Sequence, residues 1–150
     1  MVSRQRGFTI LELTMTIALL GALSAMAIPA FNGYLDRAKV NRAIGEIGRV
    51  SVELYRWRTN NNGAFPATLA AANITLGVDP WGNAYTYLDA TGAAPAALRK
   101  DASNRPVNSD FDLYSKGPDG ATALVFSASD AADDVVRANN GAYIGPAADY

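Results

Sequence analysis

Two sets of residues in this 150-residue chain have types and spacings that could do chemistry. The first is Glu12, the single ionisable side chain in the apolar run 8–31. A carboxylate near a bilayer centre costs about 2.5–3.5 kcal/mol, less towards the edge, so it needs a partner there. The run itself offers none. Cleavage after Gly7 would free the α-amine of Phe8, a cation four residues from Glu12. The two groups could then pair within one helix or between axially staggered neighbours. In the second geometry Glu12 sets register: its unpaired carboxylate is stabilised by docking against another copy's amine.

The second set is acidic. From Val107 to Tyr150 there are seven Asp and no Glu, with Lys116 and Arg137 as the only cations. Short carboxylates among Gly and Ser suit oxygen-only coordination of a hard cation such as Ca²⁺, although the spacing is not that of an EF-hand loop. The same residues also suit a solubilising loop in which Asp forms turns and caps, for example Ser129 and Asp130 opening a short helix at Ala131. Composition excludes much else. With no Cys and no His, there is no thiolate or imidazole nucleophile pair, no zinc site of the usual ligands and no disulfide. No phosphate-binding loop is present, the segment 117–120 being too short and lacking its Lys. A formal charge of -1 gives no support to nucleic-acid binding. An enzyme is not expected.

The elements that must position these groups follow from the pattern. Phe8 to Ile28 as a helix spans roughly 31 Å, one bilayer core. Arg4 and Arg6 before it predict a cytoplasmic leader and a translocated remainder. Ala25-Met26-Ala27 has the small-x-small form of a signal peptidase site, so a cleaved secretory signal is the competing reading; the length of the run and Glu12 weigh against it. Gly21 and Pro29 are the points where this helix is expected to weaken or kink. Beyond it, Val40, Ile44, Ile47, Val50, Leu54 and Trp57 make one apolar stripe, with charges of alternating sign on the other faces and a balance of +3 over 32–58. Asn60-Asn61-Asn62-Gly63 ends the helix. The remainder is turn-rich. Extended runs are expected at 84–88, 110–115 and 123–126, a brief helix before Ile74, and a long loop over 89–109. The fold class is therefore α+β: a long N-terminal helix, anchor plus stalk, packed against a small antiparallel sheet. The organisation reads as a leader 1–7, an anchor 8–31, a stalk 32–60 and a head 61–150.

Gly7-Phe8-Thr9-Ile10-Leu11-Glu12-Leu13 after a short basic leader closely resembles the class III signal of type IV pilins and type II secretion pseudopilins. Asp79-Pro80-Trp81-Gly82-Asn83 and Phe111 to Gly120 resemble, more narrowly, the major pseudopilins of type II secretion, the general secretion pathway protein G family. The resemblance implies cleavage between Gly7 and Phe8 by a prepilin peptidase, N-methylation of Phe8, and Glu12 as the assembly carboxylate. It implies a homo-oligomeric filament whose subunits wait in the bacterial inner membrane with their heads in the periplasm. Its partners would be an inner-membrane assembly platform and minor pseudopilins. It also implies one calcium, with Asp119, Asp133 and Asp134 giving carboxylates and Lys116 and Ala121 giving carbonyls, although the stretch between Asp119 and Asp133 is longer here than in the family. Two other functions fit parts of the pattern: the major pilin of a type IV pilus, and a monomeric membrane-tethered calcium-binding module.

Overall fold

The structure is a computed structural model that describes residues 7–150. The basic leader positions Arg4 and Arg6 lie outside the described residues. Helix α1 runs over Ile10–Asn60, and four strands follow: β1 (Thr86–Asp89), β2 (Phe111–Ser115), β3 (Val135–Ala138) and β4 (Tyr143–Pro146). The chain divides into two compact units, one ending at Arg37 and one spanning Ala38–Tyr150.

In the first unit the side chains from Phe8 to Phe31 are exposed, including Phe8 at 84%, Ile10 at 83% and Met26 at 77%. A helix that is apolar all round and buries nothing against its own chain is one built for lipid or for other helices. The helix continues through Gly21 and Pro29. The proline φ is itself helical, and one missing N–H among 51 helical residues is a local loss that neighbouring turns carry. Thr14 and Thr16 fold their hydroxyls back onto the carbonyls of Leu11 and Glu12, at 2.9 and 2.7 Å, which satisfies them without water.

In the second unit the expected stripe does form a core. Ile47, Val50 and Leu54 are wholly buried with Ala43, and Val40 and Ile44 pack at their margin. Trp57 is only half-buried and stays out of the cluster. These residues meet Phe65, Ile74, Phe111, Leu113 and Val135. Each wholly buried large aliphatic or aromatic side chain contributes about 1.5–3 kcal/mol, and the three aromatic rings of Tyr55, Phe65 and Phe111 add edge contacts at 5.1–6.0 Å. The helix ends as Gly63 returns its amide to the carbonyl of Arg58 at 2.9 Å, with Asn62 and Gly63 at positive φ.

The sheet is an antiparallel meander in the order β1-β2-β3-β4. Its pairing includes Tyr87 with Leu113, Tyr114 with Val136, and Val136 with Gly145. Two of the expected extended runs are strands and the third is not. The backbone of residues 123–126 forms only a single parallel bridge, Val125 with Lys100, and the edge of β2 is already taken by β3. The hairpin β3–β4 was not expected, since Arg137 at its centre reads as a solvent-facing residue. The brief helix before Ile74 is a single 3-10 turn, Ala70–Ala72. Ser129 and Asp130 lie inside a 3-10 turn whose N-cap is Ala128, so neither caps it.

A sheet laid on a helix would bury one face, yet β2 is buried on both. Val107, Phe126 and Ala147 cover its far side, packing on Tyr114, Val136 and Ala138. The loops supply a second layer that the strand pattern alone does not announce.

Arg137 is 1% exposed and stitches these layers together. It donates to both oxygens of Asp110, at 2.8 and 2.6 Å, to the carbonyl of Phe111 at 3.0 Å and to the hydroxyl of Tyr55 at 3.2 Å, with its guanidinium 3.9 Å from the Phe111 ring centre. The Tyr55 hydroxyl donates to Asp110 at 2.7 Å. The stalk portion of α1, β2 and β3 are thus pinned by one charged cluster in a chain that has no cysteine.

Candidate functional site

At the head of α1, Thr9 and Glu12 form a reciprocal cap. The amide and the hydroxyl of Thr9 both donate to Glu12 Oε2 at 3.0 Å, and the amide of Glu12 donates to Thr9 Oγ1 at 3.2 Å. This is a capping box, Thr-x-x-Glu, and it places the carboxylate at the positive end of the helix. The sequence reading found no partner for Glu12 within the run; the structure supplies one in Thr9. The signal was legible, as a Thr three residues before a Glu at the start of an apolar helix. Gly7 and Phe8 precede the cap in an exposed, non-helical stretch. In the intact chain the Phe8 nitrogen is an amide, so the charge pair with Glu12 requires cleavage first.

The second region joins the two head motifs. Asp79, 3% exposed, accepts from the amides of Trp81 and Asn83 on Oδ1, at 3.0 and 2.7 Å, and from the Ser115 hydroxyl on Oδ2 at 2.5 Å. Ser115 Oγ in turn accepts from the amide of Gly117 at 3.1 Å, and Asn83 donates to the Gly117 carbonyl at 2.8 Å. The Asp79–Asn83 turn is therefore the mould in which the loop 116–120 sits. Gly117 has φ +65°, and a Cβ there would lie 2.4 Å from the carbonyl oxygen of Asp133. Gly117→Ala is expected to cost at least about 1 kcal/mol from strain and displacement of that carbonyl. A lowered urea midpoint with unchanged slope would record this.

The acidic residues implied as metal ligands are neighbours without converging. Asp119 turns its Oδ1 onto the amide of Ala121 at 2.8 Å, and its own amide donates to Asp133 Oδ2 at 3.3 Å. Asp134, wholly buried, gives Oδ2 to the guanidinium of Arg99 at 2.6 Å and to the Thr122 hydroxyl at 2.6 Å. Burial raises the pKa of Asp134 above the ordinary carboxylate value, with Thr122 and Arg99 opposing it. Lys116 and Ala121 flank this loop. Among the described residues no three carboxylates lie close enough to hold one ion. A calcium needs six to eight oxygens, and one of the three carboxylates implied as its ligands, Asp134, is already engaged by a cation of the chain. Of the three carboxylates that the resemblance implies, Asp134 is thus held by Arg99, while Asp133 Oδ1 and Asp134 Oδ1 are buried without a hydrogen-bond partner. Sequence reasoning missed Arg99 and Thr122 altogether, because Arg99 falls in the Gly/Ala/Pro-rich stretch 89–109, where a lone Arg reads as a solvated charge.

Comparison with known proteins agrees with the N-terminal geometry. The family model described as "Prokaryotic N-terminal methylation motif" matches residues 2–28. The chain is 30% identical over 138 residues to type II secretion system core protein G of Pseudomonas aeruginosa, covering 78% of this chain and 86% of that protein. It is 28% identical over 137 residues to the Escherichia coli K12 protein of the same name, covering 78% and 84%. A fimbrial protein of Neisseria meningitidis is 30% identical over 121 residues, covering 78% and 69%. No solved structure gives a significant match.

Proposed function

Since the chain belongs to the type II secretion system core protein G family, we propose that it is the structural subunit of a periplasmic pseudopilus, and that it acts by polymerising. The observation that carries this reading is the unpartnered apolar stretch from Phe8 to Phe31, helical from Ile10 and headed by one carboxylate. In the bilayer that helix is a single-pass anchor with its head in the periplasm. In the filament the same surface packs on copies of itself, so the lipid-facing helix becomes the fibre core. The prepilin peptidase removes residues 1–7, and the freed, methylated amine of Phe8 answers Glu12 of a neighbour. An inner-membrane assembly platform and minor pseudopilins complete the machine. The chain's work is mechanical, with no chemical step assigned to its head.

The intact mass of the mature protein, purified from membranes, tests the processing that this mechanism requires. The expected mass lacks residues 1–7 and carries one added methyl group. A chain beginning just after Ala27 would identify a cleaved secretory signal and end the proposal.

The fimbrial relative supports a second reading, a pilus subunit exposed at the cell surface. Electron microscopy of sheared cells at native expression separates the two. Short fibres confined to the envelope are expected, and long surface fibres would favour the pilus.

A further inference from the structure

We infer that in this chain the guanidinium of Arg99 does the structural work of a divalent cation, tying the acidic loops 117–122 and 133–134 together without a metal.

The work of such a cation would be to neutralise clustered carboxylates and to bridge two segments that no disulfide joins. Arg99 does both. Its side chain is 2% exposed, and Nη2 lies 2.6 Å from Asp134 Oδ2. Nη1 donates to the hydroxyl of Thr122, which passes its own proton on to the same Asp134 oxygen at 2.6 Å. One planar group therefore engages the segment after Asp119 and the segment after Asp133 at once. The arginine is itself anchored: its amide donates to Asp112 Oδ2 on β2 at 2.8 Å. Its guanidinium lies against the rings of Tyr114 and Phe126, with centroids at 4.3 and 5.0 Å.

The choice of cation follows from chemistry. A guanidinium is weakly hydrated, always charged and stacks on aromatic faces, so it enters an aromatic-walled interior where a hydrated ion does not. Two buried oxygens, Asp133 Oδ1 and Asp134 Oδ1, have no hydrogen-bond partner. Arg99 answers the charge of Asp134 alone, and among the described residues no cation pairs with Asp133. Without Arg99 the two adjacent carboxylates both lack a counter-charge, which is the condition that recruits a metal. The chain has exchanged a soluble cofactor for a residue, and its head is then indifferent to the calcium supply.

Thermal melting of the full-length protein in detergent, in excess EDTA and in millimolar calcium, tests this. The wild type is expected to melt at the same temperature, within about 2 °C, in both. Arg99→Met, which keeps the aliphatic stem and removes the charge, is expected to lose roughly 10 °C or more in EDTA and to regain a large part of it with calcium. The double variant Arg99→Met/Asp134→Asn removes the charge that needs answering, and is expected to lose the calcium response. If Arg99→Met does not fold in EDTA, recovery of its folded yield by calcium is the equivalent readout. A wild type that loses more than about 5 °C in EDTA, on the same scale, overturns the inference. So does an Arg99→Met whose calcium response is no larger than that of the wild type. Calorimetric titration gives an independent arm: the wild type is expected to take up no calcium, and a saturable site of unit stoichiometry contradicts the proposal.

Discussion

Glu12→Gln should abolish filament assembly while leaving the subunit folded, processed and in the membrane. The substitution discriminates because the capping box accepts either residue: Gln keeps an acceptor for the Thr9 amide and loses only the charge. In the filament, that loss leaves the freed amine of Phe8 as an uncompensated cation in an apolar core. Removing one partner of a buried pair costs about 3–5 kcal/mol, which is roughly a hundredfold or more in the affinity of each subunit for the growing end. Thr9→Val makes the opposite change, deleting the hydroxyl that bonds Glu12 and sparing the carboxylate. It is expected to cost the helix start about 1 kcal/mol and to reduce assembly modestly. Fibre yield in sheared fractions, with membrane-bound subunit as the internal control, reads both variants. A Glu12→Gln strain with normal fibres and a Thr9→Val strain without them would mean that the carboxylate serves only as a cap.

The largest stability effect belongs to Arg137. Arg137→Met leaves Asp110, 7% exposed, as a buried carboxylate deprived of its bidentate partner. A loss of about 3–5 kcal/mol is expected, and a melting temperature lower by roughly 10–20 °C. Arg137→Met/Asp110→Asn should recover part of it, because the orphaned charge disappears with its partner. The pH dependence carries a definite sign. Burial raises the pKa of Asp110, but the bonds from Arg137, Tyr55 and the Phe111 amide outweigh it, so the folded value is below the ordinary one. The stabilisation is therefore present above the unfolded carboxylate range and is lost as pH falls through the lowered value. The stability gap between wild type and Asp110→Asn, from urea midpoints at neutral and acid pH, should shrink on acidification. A gap that widens would mean that the Arg137–Asp110 pair does not stabilise the head.

The sequence was most legible where periodicity is long and environment uniform. The apolar run, the stripe through Ile47, Val50 and Leu54, the stop at Asn60 and the faces of Phe111 and Leu113 could all be read from spacing. Legibility failed where polar residues are inside. Arg137 hides β3 because an arginine in a four-residue strand breaks the apolar pattern, although Asn140-Gly141 marks the hairpin that follows. Arg99 hides in a loop for the same reason. The partners of both arginines are distant in the chain, Asp110 and Asp134, so no local pattern reports the pairs. Family resemblance pointed to the carboxylates of 119–134 and could not show that one of them is already taken.

The central claim is that the anchors assemble with an axial stagger that brings the Phe8 amine of one subunit to Glu12 of the next. The chain has no cysteine, so introduced thiols report without background. A four-residue stagger places residue 10 of one copy beside residue 14 of its neighbour. Disulfide cross-linking in sheared fibres of coexpressed Ile10→Cys and Thr14→Cys subunits is the most direct measurement. The account predicts a strong mixed dimer and weak dimers of either variant alone. Ile10→Cys fibres that cross-link to themselves as efficiently as to Thr14→Cys would show subunits in level register, and would contradict it.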